Sequence, residues 1–97
     1  MANFTIRYHP KFFKDLEKLT QSQLESLDKK IERIKTDPDQ FKDLKGKNNC
    51  YTIRIEHMRL VYYFDGSSLW FLIVESRKSV YKEYLKRLYN LKMKLQS

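Results

Sequence analysis

The sequence has few of the residues that mark several protein classes. Of its 97 residues, one is cysteine, two are glycine and two are proline. A single cysteine, Cys50, allows no internal disulfide, which fits a reducing environment and predicts a cytoplasmic location. The scarcity of glycine and proline excludes a low-complexity or collagen-like chain. The longest apolar run, residues 69–74, is far shorter than the roughly 20 residues that a membrane span needs.

Motifs for several kinds of chemistry are missing too. There is no glycine-rich phosphate loop, no Ser-His-Asp or Cys-His arrangement, and no pair of carboxylates in an apolar setting. The possible metal ligands Cys50, His9 and His57 lie far apart in the sequence, without the spacing of a zinc site. We therefore expect no metal and no other cofactor.

The sequence is rich in positive charge. It carries 20 Lys and Arg against 12 Asp and Glu, a net charge of +8, and residues 77–97 alone hold seven basic residues and one acidic residue. A basic surface attracts polyanions and speeds their encounter, which makes a nucleic acid one expected partner. The alternative is that these charges form solvated helix faces.

The apolar pattern of the first half predicts a strand and a helical hairpin. Phe4, Ile6 and Tyr8 alternate with polar residues, which predicts a half-buried strand over residues 3–9. Pro10 is expected in the first turn of a helix, and residues 20–23 have the spacing of a capping box that begins a second helix. The apolar stripe of the first helix is Phe12, Phe13, Leu16 and Leu19, and that of the second is Leu24, Leu27, Ile31 and Ile34.

The second half predicts three antiparallel strands and a final helix. Residues 50–55 alternate, with Thr52 and Arg54 on the polar face; residues 59–64 return after a tight reversal; and residues 69–74 are apolar throughout, as in a central strand. Ser79 is expected to cap a basic helix over about residues 80–96. Its apolar stripe is Tyr84, Leu88, Leu91 and Leu95. Residues 1–97 are thus predicted to form one small α+β domain: strand, helical hairpin, three-stranded antiparallel meander and C-terminal helix.

This topology predicts that three arginines meet at one edge of the sheet. Arg54 ends one strand, Arg59 begins the next, and Arg77 follows the last. Clustered guanidinium groups suit phosphate, which they bind in a bidentate manner. In the alternative interpretation each arginine pairs with a nearby acid, and the acids available are Glu56, Glu75 and Asp65.

A phosphodiester held by such a cluster is open to cleavage. RNA supplies its own nucleophile, the 2′-OH, so the protein needs only to move two protons and stabilise the phosphorane. Tyr81 suits base stacking or proton donation, although an aromatic residue near a helix start is as often half-buried.

Four segments, taken together, resemble the RelE/ParE superfamily of bacterial and archaeal toxins. They are Phe-Lys-Asp-Leu-Glu-Lys-Leu at residues 13–19, Leu-Lys-Gly at 44–46 before Tyr-Thr-Ile-Arg at 51–54, Arg-Leu-Val-Tyr-Tyr at 59–63, and Arg-Lys-Ser-Val-Tyr at 77–81. The resemblance implies the toxin of a type II toxin–antitoxin module. It would be a metal-independent mRNA endonuclease that acts on the ribosome by 2′-OH attack, inhibits translation, and is held inactive by an antitoxin. Two alternatives are a ParE-like inhibitor of DNA gyrase and a catalytically weak member that only binds antitoxin or RNA.

The resemblance also implies roles for particular residues. Arg54, Arg59, Arg77 and Tyr81 match catalytic positions. Thr52 stands where RelE members often have a lysine, which leaves the general base open among Lys45, Lys47 and His57. RNA or ribosome contacts are expected from Lys45, Lys47, Lys78, Lys82, Lys86 and Arg87.

Overall fold

The structure is a five-stranded mixed sheet with helices on both faces. The computed structural model describes residues 4–39, 42–43 and 49–96. In chain order the elements are β1 (Thr5–Tyr8), α1 (Phe12–Glu17), α2 (Gln21–Thr36), β2 (Lys42–Asp43), β3 (Cys50–Ile55), β4 (Met58–Phe64), β5 (Ser68–Ser76) and α3 (Arg77–Gln96). The strand order is β1-β5-β4-β3-β2. β1 lies parallel to β5, and all other pairs are antiparallel.

This architecture confirms the predicted α+β fold and its order of elements. The short strand β2 was not predicted, because two residues show no alternation that a sequence pattern could reveal. Its backbone pairs with Tyr51 and Thr52 of β3 and extends the sheet by one strand.

One face of the sheet packs against α1 and α2. Thr20 and Gln23 form the predicted capping box, in which the Thr20 hydroxyl accepts from the Gln23 N–H and the Gln23 side chain accepts from the Thr20 N–H. The core on this face consists of Phe12, Leu27, Ile31, Ile34, Ile53, Ile55, Leu60, Tyr62, Leu69, Phe71 and Val74. The predicted stripe of α2 is therefore the buried one.

The other face of the sheet packs against α3. The core there consists of Cys50, Val61, Leu72, Ile73, Val80, Tyr84, Leu88 and Leu91. Three of the four residues in the predicted stripe of α3 lie in it; the side chain of the fourth, Leu95, is outside the described part of the structure. β5 contributes residues to both cores, which confirms the prediction of a central strand covered on both faces.

α3 also carries an apolar row that faces away from the sheet. Its members recur every fourth residue, so they lie one above another on the helix: Tyr81, Leu85, Tyr89 and Met93, each between 38% and 63% exposed.

A bulge interrupts the pairing of β4 with β5. Val61 pairs with Ile73 and Tyr62 with Phe71, so Leu72 has no partner on β4. β1 ends opposite Phe71, which leaves the edge of β5 open beyond that point. Two charged side chains cover this edge: Asp15 Oδ2 accepts from the Val74 N–H at 3.1 Å, and Arg87 Nη1 donates to the Leu72 carbonyl at 2.7 Å.

The structure corrects two predictions at the start of α1. Pro10 lies in a turn before the helix, because His9 Nδ1 accepts from the Lys11 N–H at 3.0 Å and the helix begins at Phe12. Phe13 is 54% exposed and its ring lies 5.8 Å from that of Tyr8. The inward face of this short helix is formed by Phe12 and Asp15, and Phe13 lies about 100° away from Phe12 around the axis.

α3 begins earlier than the sequence predicts. Its first residue is Arg77, which follows Ser76 of β5 without a loop. Ser79 therefore lies in the first turn of the helix rather than capping it, and its hydroxyl oxygen accepts from that of Ser76 at 3.5 Å.

Candidate functional site

The candidate site is built on the hairpin that joins β3 and β4. Arg54 and Arg59 are direct register partners across it. Only the pair of Ile55 and Met58 separates them from the two-residue turn formed by Glu56 and His57. Cβ atoms of such partners lie about 4.5–5.5 Å apart. Both positions are on the α3 face of the sheet, since their neighbours Ile55 and Leu60 pack in the opposite core. The strand pairing thus holds two positive charges side by side.

The acids near this pair are bound to other groups. The Glu56 carboxylate accepts from the hydroxyls of Ser22 and Ser26 on α2, at 3.5 and 3.4 Å. The Glu75 carboxylate lies 3.4 Å from Lys18 Nζ, and its Cα is the register partner of Arg59. Within residues 4–39, 42–43 and 49–96, neither arginine of the pair forms an ion pair. The alternative of local neutralisation therefore does not hold for Arg54 and Arg59.

Arg54 is oriented by the turn beside it. Its Nε donates to the Glu56 carbonyl at 3.0 Å, and Glu56 adopts φ of 55°, the left-handed conformation that the tight turn requires. This bond uses one of the five guanidinium donors. The two Nη groups have no hydrogen-bond partner among the described residues and remain available to a ligand.

A small cavity of about 220 Å³ opens at this end of the hairpin. It is lined by Arg54, His57, Met58 and Arg59. His57 is exposed and lies in the turn itself. The structure therefore brings together two of the three predicted arginines, Arg54 and Arg59, with His57, one of the three candidates for the general base.

Arg77 and Tyr81 begin α3 at the same end of the sheet. Ser76, the register partner of Met58, precedes Arg77, so the backbone of Arg77 lies at the edge where β4 starts. The Arg77 side chain is outside the described part of the structure. Tyr81 lies one helical turn further on and is 38% exposed, which leaves its ring open to contact.

Thr52 shares a face of β3 with Arg54, as the alternation predicts, but its side chain is buried there. It lies on the same face of β3 as Cys50 and Arg54, and its Oγ1 finds no hydrogen-bond partner among the described atoms. The Thr52 hydroxyl is therefore removed from solvent.

Two of the predicted RNA-binding lysines line a groove between α1 and α3. Lys82 and Lys86 lie on its α3 wall, and the groove has a volume of about 600 Å³. The α1 wall is formed by three lysines that were not among the predicted RNA-binding residues: Lys11, Lys14 and Lys18. Lys45 and Lys47 lie outside the described residues, as does the side chain of Lys78.

Arg87 is buried and does not belong with the RNA-binding residues. Its Nη1 lies 2.7 Å from Asp15 Oδ2 and its Nη2 lies 3.1 Å from Asp15 Oδ1, a bidentate ion pair with side-chain exposures of 7% and 3%. Glu83 Oε2 lies 3.8 Å from Arg87 Nε, too far for a hydrogen bond. The sequence did contain a signal for this pair. Asp15 lies about one helical turn after the apolar Phe12, and Arg87 lies next to Leu88 of the apolar stripe of α3.

Tyr63 and Asp65, at the turn between β4 and β5, have shifted pKa values. This turn lies at the end of β4 that is opposite to Arg59. Burial raises the pKa of Tyr63, and its hydrogen bond to Asp65 Oδ2 at 2.9 Å raises it further. Desolvation acts to raise the pKa of Asp65, but the N–H groups of Ser68 and Ser67, with the Tyr63 hydroxyl, outweigh it and the pKa is lowered. These groups stabilise the turn and lie away from the arginine pair.

Comparison with known proteins assigns the family. Residues 6–81 match the family model described as ParE toxin of type II toxin-antitoxin system, parDE. The chain belongs to this toxin family. The matched segment includes Arg54, Arg59, Arg77 and Tyr81 and ends at the first turns of α3. No curated protein sequence matches the chain.

Solved structures add a likeness to RelE toxins. A double arginine-to-alanine mutant of the E. coli toxin RelE in the free state is 29% identical, with a TM-score of 0.74; the match covers 90% of this chain and 98% of that one. The isolated E. coli RelE toxin is 26% identical, with a TM-score of 0.68, over 88% and 98% of the two chains. RelE in the RelB-RelE antitoxin-toxin complex from Methanococcus jannaschii is 25% identical, with a TM-score of 0.65, over 77% and 94%. The toxin is thus a member of the RelE/ParE superfamily with a RelE-like structure.

In this toxin, the part of the chain that the structure describes holds no cluster of three His, Cys, Asp or Glu side chains arranged as metal ligands. Nor is any helix there long and apolar enough to cross a membrane. The polar chemistry near the β3–β4 hairpin comes from guanidinium, imidazole and phenol groups.

Proposed function

We propose that this toxin is an endoribonuclease that cleaves mRNA on the ribosome and so inhibits translation. The observation that carries the proposal is the Arg54–Arg59 pair, two register partners without an acidic partner among the described residues. Like charges placed opposite each other on a sheet destabilise it. A bound phosphate offsets that repulsion, and guanidinium groups match its geometry.

The chemistry divides between the RNA and the protein. The 2′-OH of the substrate loses its proton, attacks the adjacent phosphorus and forms a bond to it. The P–O5′ bond then breaks as the leaving oxygen takes a proton from water, which leaves a 2′,3′-cyclic phosphate and a 5′-OH. Arg54, Arg59 and Arg77 stabilise the negative charge that develops on the phosphorane oxygens. Tyr81 stacks on a base and orients the strand.

The 2′-OH must lose a proton as it attacks. His57 shares the cavity with both arginines, and imidazole is the side chain best suited to proton transfer near neutral pH. We assign His57 as the general base in preference to Lys45 and Lys47, because its position in the cavity supports that role.

The test combines purified toxin, ribosomes and a defined mRNA in a translation reaction. Cleaved mRNA is mapped by primer extension, and its ends are tested for a 2′,3′-cyclic phosphate. An mRNA with a single 2′-deoxy substitution at the mapped site should resist cleavage. Arg7→Gln is the matched control for Arg59→Gln, since Arg7 is an exposed arginine on the edge strand β1. Intact mRNA with the unaltered toxin would refute the proposal.

The family match favours a second candidate function. The matching family model is that of ParE toxins, and the resemblance associates ParE with inhibition of DNA gyrase. A supercoiling assay with purified gyrase separates the two functions. Loss of supercoiling without mRNA cleavage would favour the gyrase inhibitor.

An antitoxin is the proposed protein partner. A complex of RelB antitoxin with RelE toxin is among the similar solved structures, which supports a toxin–antitoxin complex for this chain. We expect acidic residues of the antitoxin to neutralise Arg54 and Arg59, in a cytoplasmic complex. Co-expression with the product of a neighbouring small reading frame, followed by co-purification, tests this partner.

A further inference from the structure

We propose that the groove between α1 and α3 is a second phosphate-binding site, which holds the backbone of RNA beside the arginine pair. The proposal rests on the RNA substrate of the proposed function. The groove belongs to a different part of the fold from the β3–β4 hairpin, and it is formed by side chains from helices far apart in the sequence.

The lining of the groove is entirely charged or hydroxylic. Its residues are Lys11, Lys14, Asp15, Lys18, Glu75, Ser79, Lys82, Glu83, Lys86 and Arg87. Protein–protein interfaces have an apolar centre from which charged residues are depleted. Interfaces with nucleic acids are polar and positively charged. No residue of the described part of the chain brings an apolar side chain into this lining, which favours a nucleic acid over an acidic peptide.

The charges in the groove do not balance. Asp15 is held by Arg87 and Glu75 by Lys18, while Glu83 lies 3.8 Å from Arg87 Nε. Four lysines remain exposed, and none has an acidic partner within the described residues: Lys11, Lys14, Lys82 and Lys86. The unpaired ammonium groups thus stand on both walls, two on each.

The spacing of these lysines suits a chain of phosphates. Lys82 and Lys86 are one helical turn apart, about 6 Å along the helix axis, and Lys11 and Lys14 are about 4.5 Å apart along theirs. Lysine acts as a point charge without bidentate geometry, so it holds phosphates without reading the bases. The groove is therefore suited to binding that is independent of sequence.

The groove adjoins the arginine pair through the sheet. Glu75 lines the groove, and its Cα is the register partner of Arg59, which in turn pairs with Arg54. The groove therefore begins at β5, the strand next to the one that carries Arg59. The phosphates in the groove come from mRNA or from ribosomal RNA, which share the same chemistry.

The test measures RNA binding without cleavage. Full-length toxin is titrated onto a labelled single-stranded RNA oligonucleotide whose 2′ oxygens are methylated and so cannot attack. In a second arm the toxin is pelleted with ribosomes, and both arms are run over a series of salt concentrations. The groove variant is the double substitution Lys14→Gln and Lys86→Gln, one on each wall. The control variant is Lys29→Gln and Lys30→Gln, two lysines of α2 that do not line the groove. Circular dichroism and thermal unfolding check that each variant is folded.

The affinity falls as the salt concentration rises, and loss of two phosphate contacts should make this dependence weaker. The slope of log affinity against log salt should become less negative by about 1.4 on the single strand. Loss of affinity in the groove variant but not in the control variant supports the proposal. A loss in the oligonucleotide arm identifies mRNA as the source of the phosphates, and a loss in the ribosome arm identifies ribosomal RNA. Equal effects of the two double variants would overturn it, since they would reflect net charge. So would unchanged RNA binding together with loss of antitoxin binding, which would make the groove a protein interface.

Failure of this proposal is distinguishable from failure of the nuclease. If mRNA cleavage depends on Arg59 while the groove variant binds RNA normally in both arms, the nuclease stands and the groove proposal falls. If the groove variant loses RNA binding but no mRNA is cleaved, the groove proposal stands and the nuclease falls.

Discussion

Asp15 and Arg87 form a buried bidentate ion pair that joins α1 to α3 and covers the open edge of β5. The pair bonds the Val74 N–H and the Leu72 carbonyl, two backbone groups that the bulge and the end of β1 leave without strand partners. It also forms the floor of the groove between the two helices. One pair of side chains thus completes the sheet and sets the relation of the helices that flank the groove.

Removal of Arg87 should destabilise the fold strongly. Arg87→Met leaves the Asp15 carboxylate buried without its partner, which costs about 3–5 kcal/mol. Urea unfolding measures the loss. Lys86→Met, at the adjacent exposed position, should change the free energy of unfolding by less than about 0.5 kcal/mol. Equal stabilities of the two variants would show that the ion pair does not stabilise the fold.

The arginine pair should lower stability in the absence of a ligand. Arg59→Gln removes a like-charge contact across the strands, so the free energy of unfolding should rise by about 0.2–1 kcal/mol at low salt. The gain should fade at high salt as screening increases. Arg7→Gln, which removes the same charge from β1, should give no such gain. A decrease for Arg59→Gln would mean that the pair serves the fold.

The same substitution should suppress mRNA cleavage. Loss of one group that stabilises the transition-state charge lowers the rate by about 10²- to 10³-fold. Single-turnover cleavage on ribosomes measures the rate. Arg7→Gln is again the control, and a rate for Arg59→Gln equal to that of the control would remove Arg59 from the catalytic residues.

His57 should be required for fast cleavage. His57→Gln should lower the single-turnover rate on ribosomes by about 10²- to 10⁴-fold, because the attacking 2′-OH loses its general base. A rate equal to that of the unaltered toxin would assign proton transfer to another group, with Lys45 and Lys47 as the next to test.

Asp65 should stabilise the β4–β5 turn only above acidic pH. Its folded-state pKa lies below the ordinary value of 3.8, so the unfolded chain binds the proton more tightly. The carboxylate therefore contributes stability above about pH 4, and the contribution is lost as the pH falls further. The difference in unfolding free energy between the unaltered protein and Asp65→Asn should shrink below that pH. A difference that persists at about pH 2 would contradict the assignment.

Local patterns in the sequence were sufficient to predict most of the fold. The capping box at Thr20, the buried stripe of α2, and the alternation through Cys50–Ile55 are set by short-range geometry and by the separation of apolar from polar residues. The meander also followed from the sequence, and with it the expectation that Arg54 and Arg59 meet at one edge of the sheet. Their direct pairing was decided by the structure, in which β4 begins at Met58 and the turn has only two residues.

Tertiary packing decided what the patterns could not. An arginine in a basic helix such as α3 is expected on the solvated face. Arg87 is nevertheless buried, because Asp15, 72 residues away, supplies a matching carboxylate. Thr52 lies on the polar side of the alternation in β3, yet its side chain is buried. The lysines of α1 and α3 become one groove only when both helices pack at the same edge of the sheet. The sequence thus determined the elements, the positive charge and the meeting of Arg54 and Arg59 at one edge of the sheet, because these depend on neighbours along the chain. The tertiary structure decided which charges are paired and which remain free for a ligand, because that depends on groups brought together from distant segments.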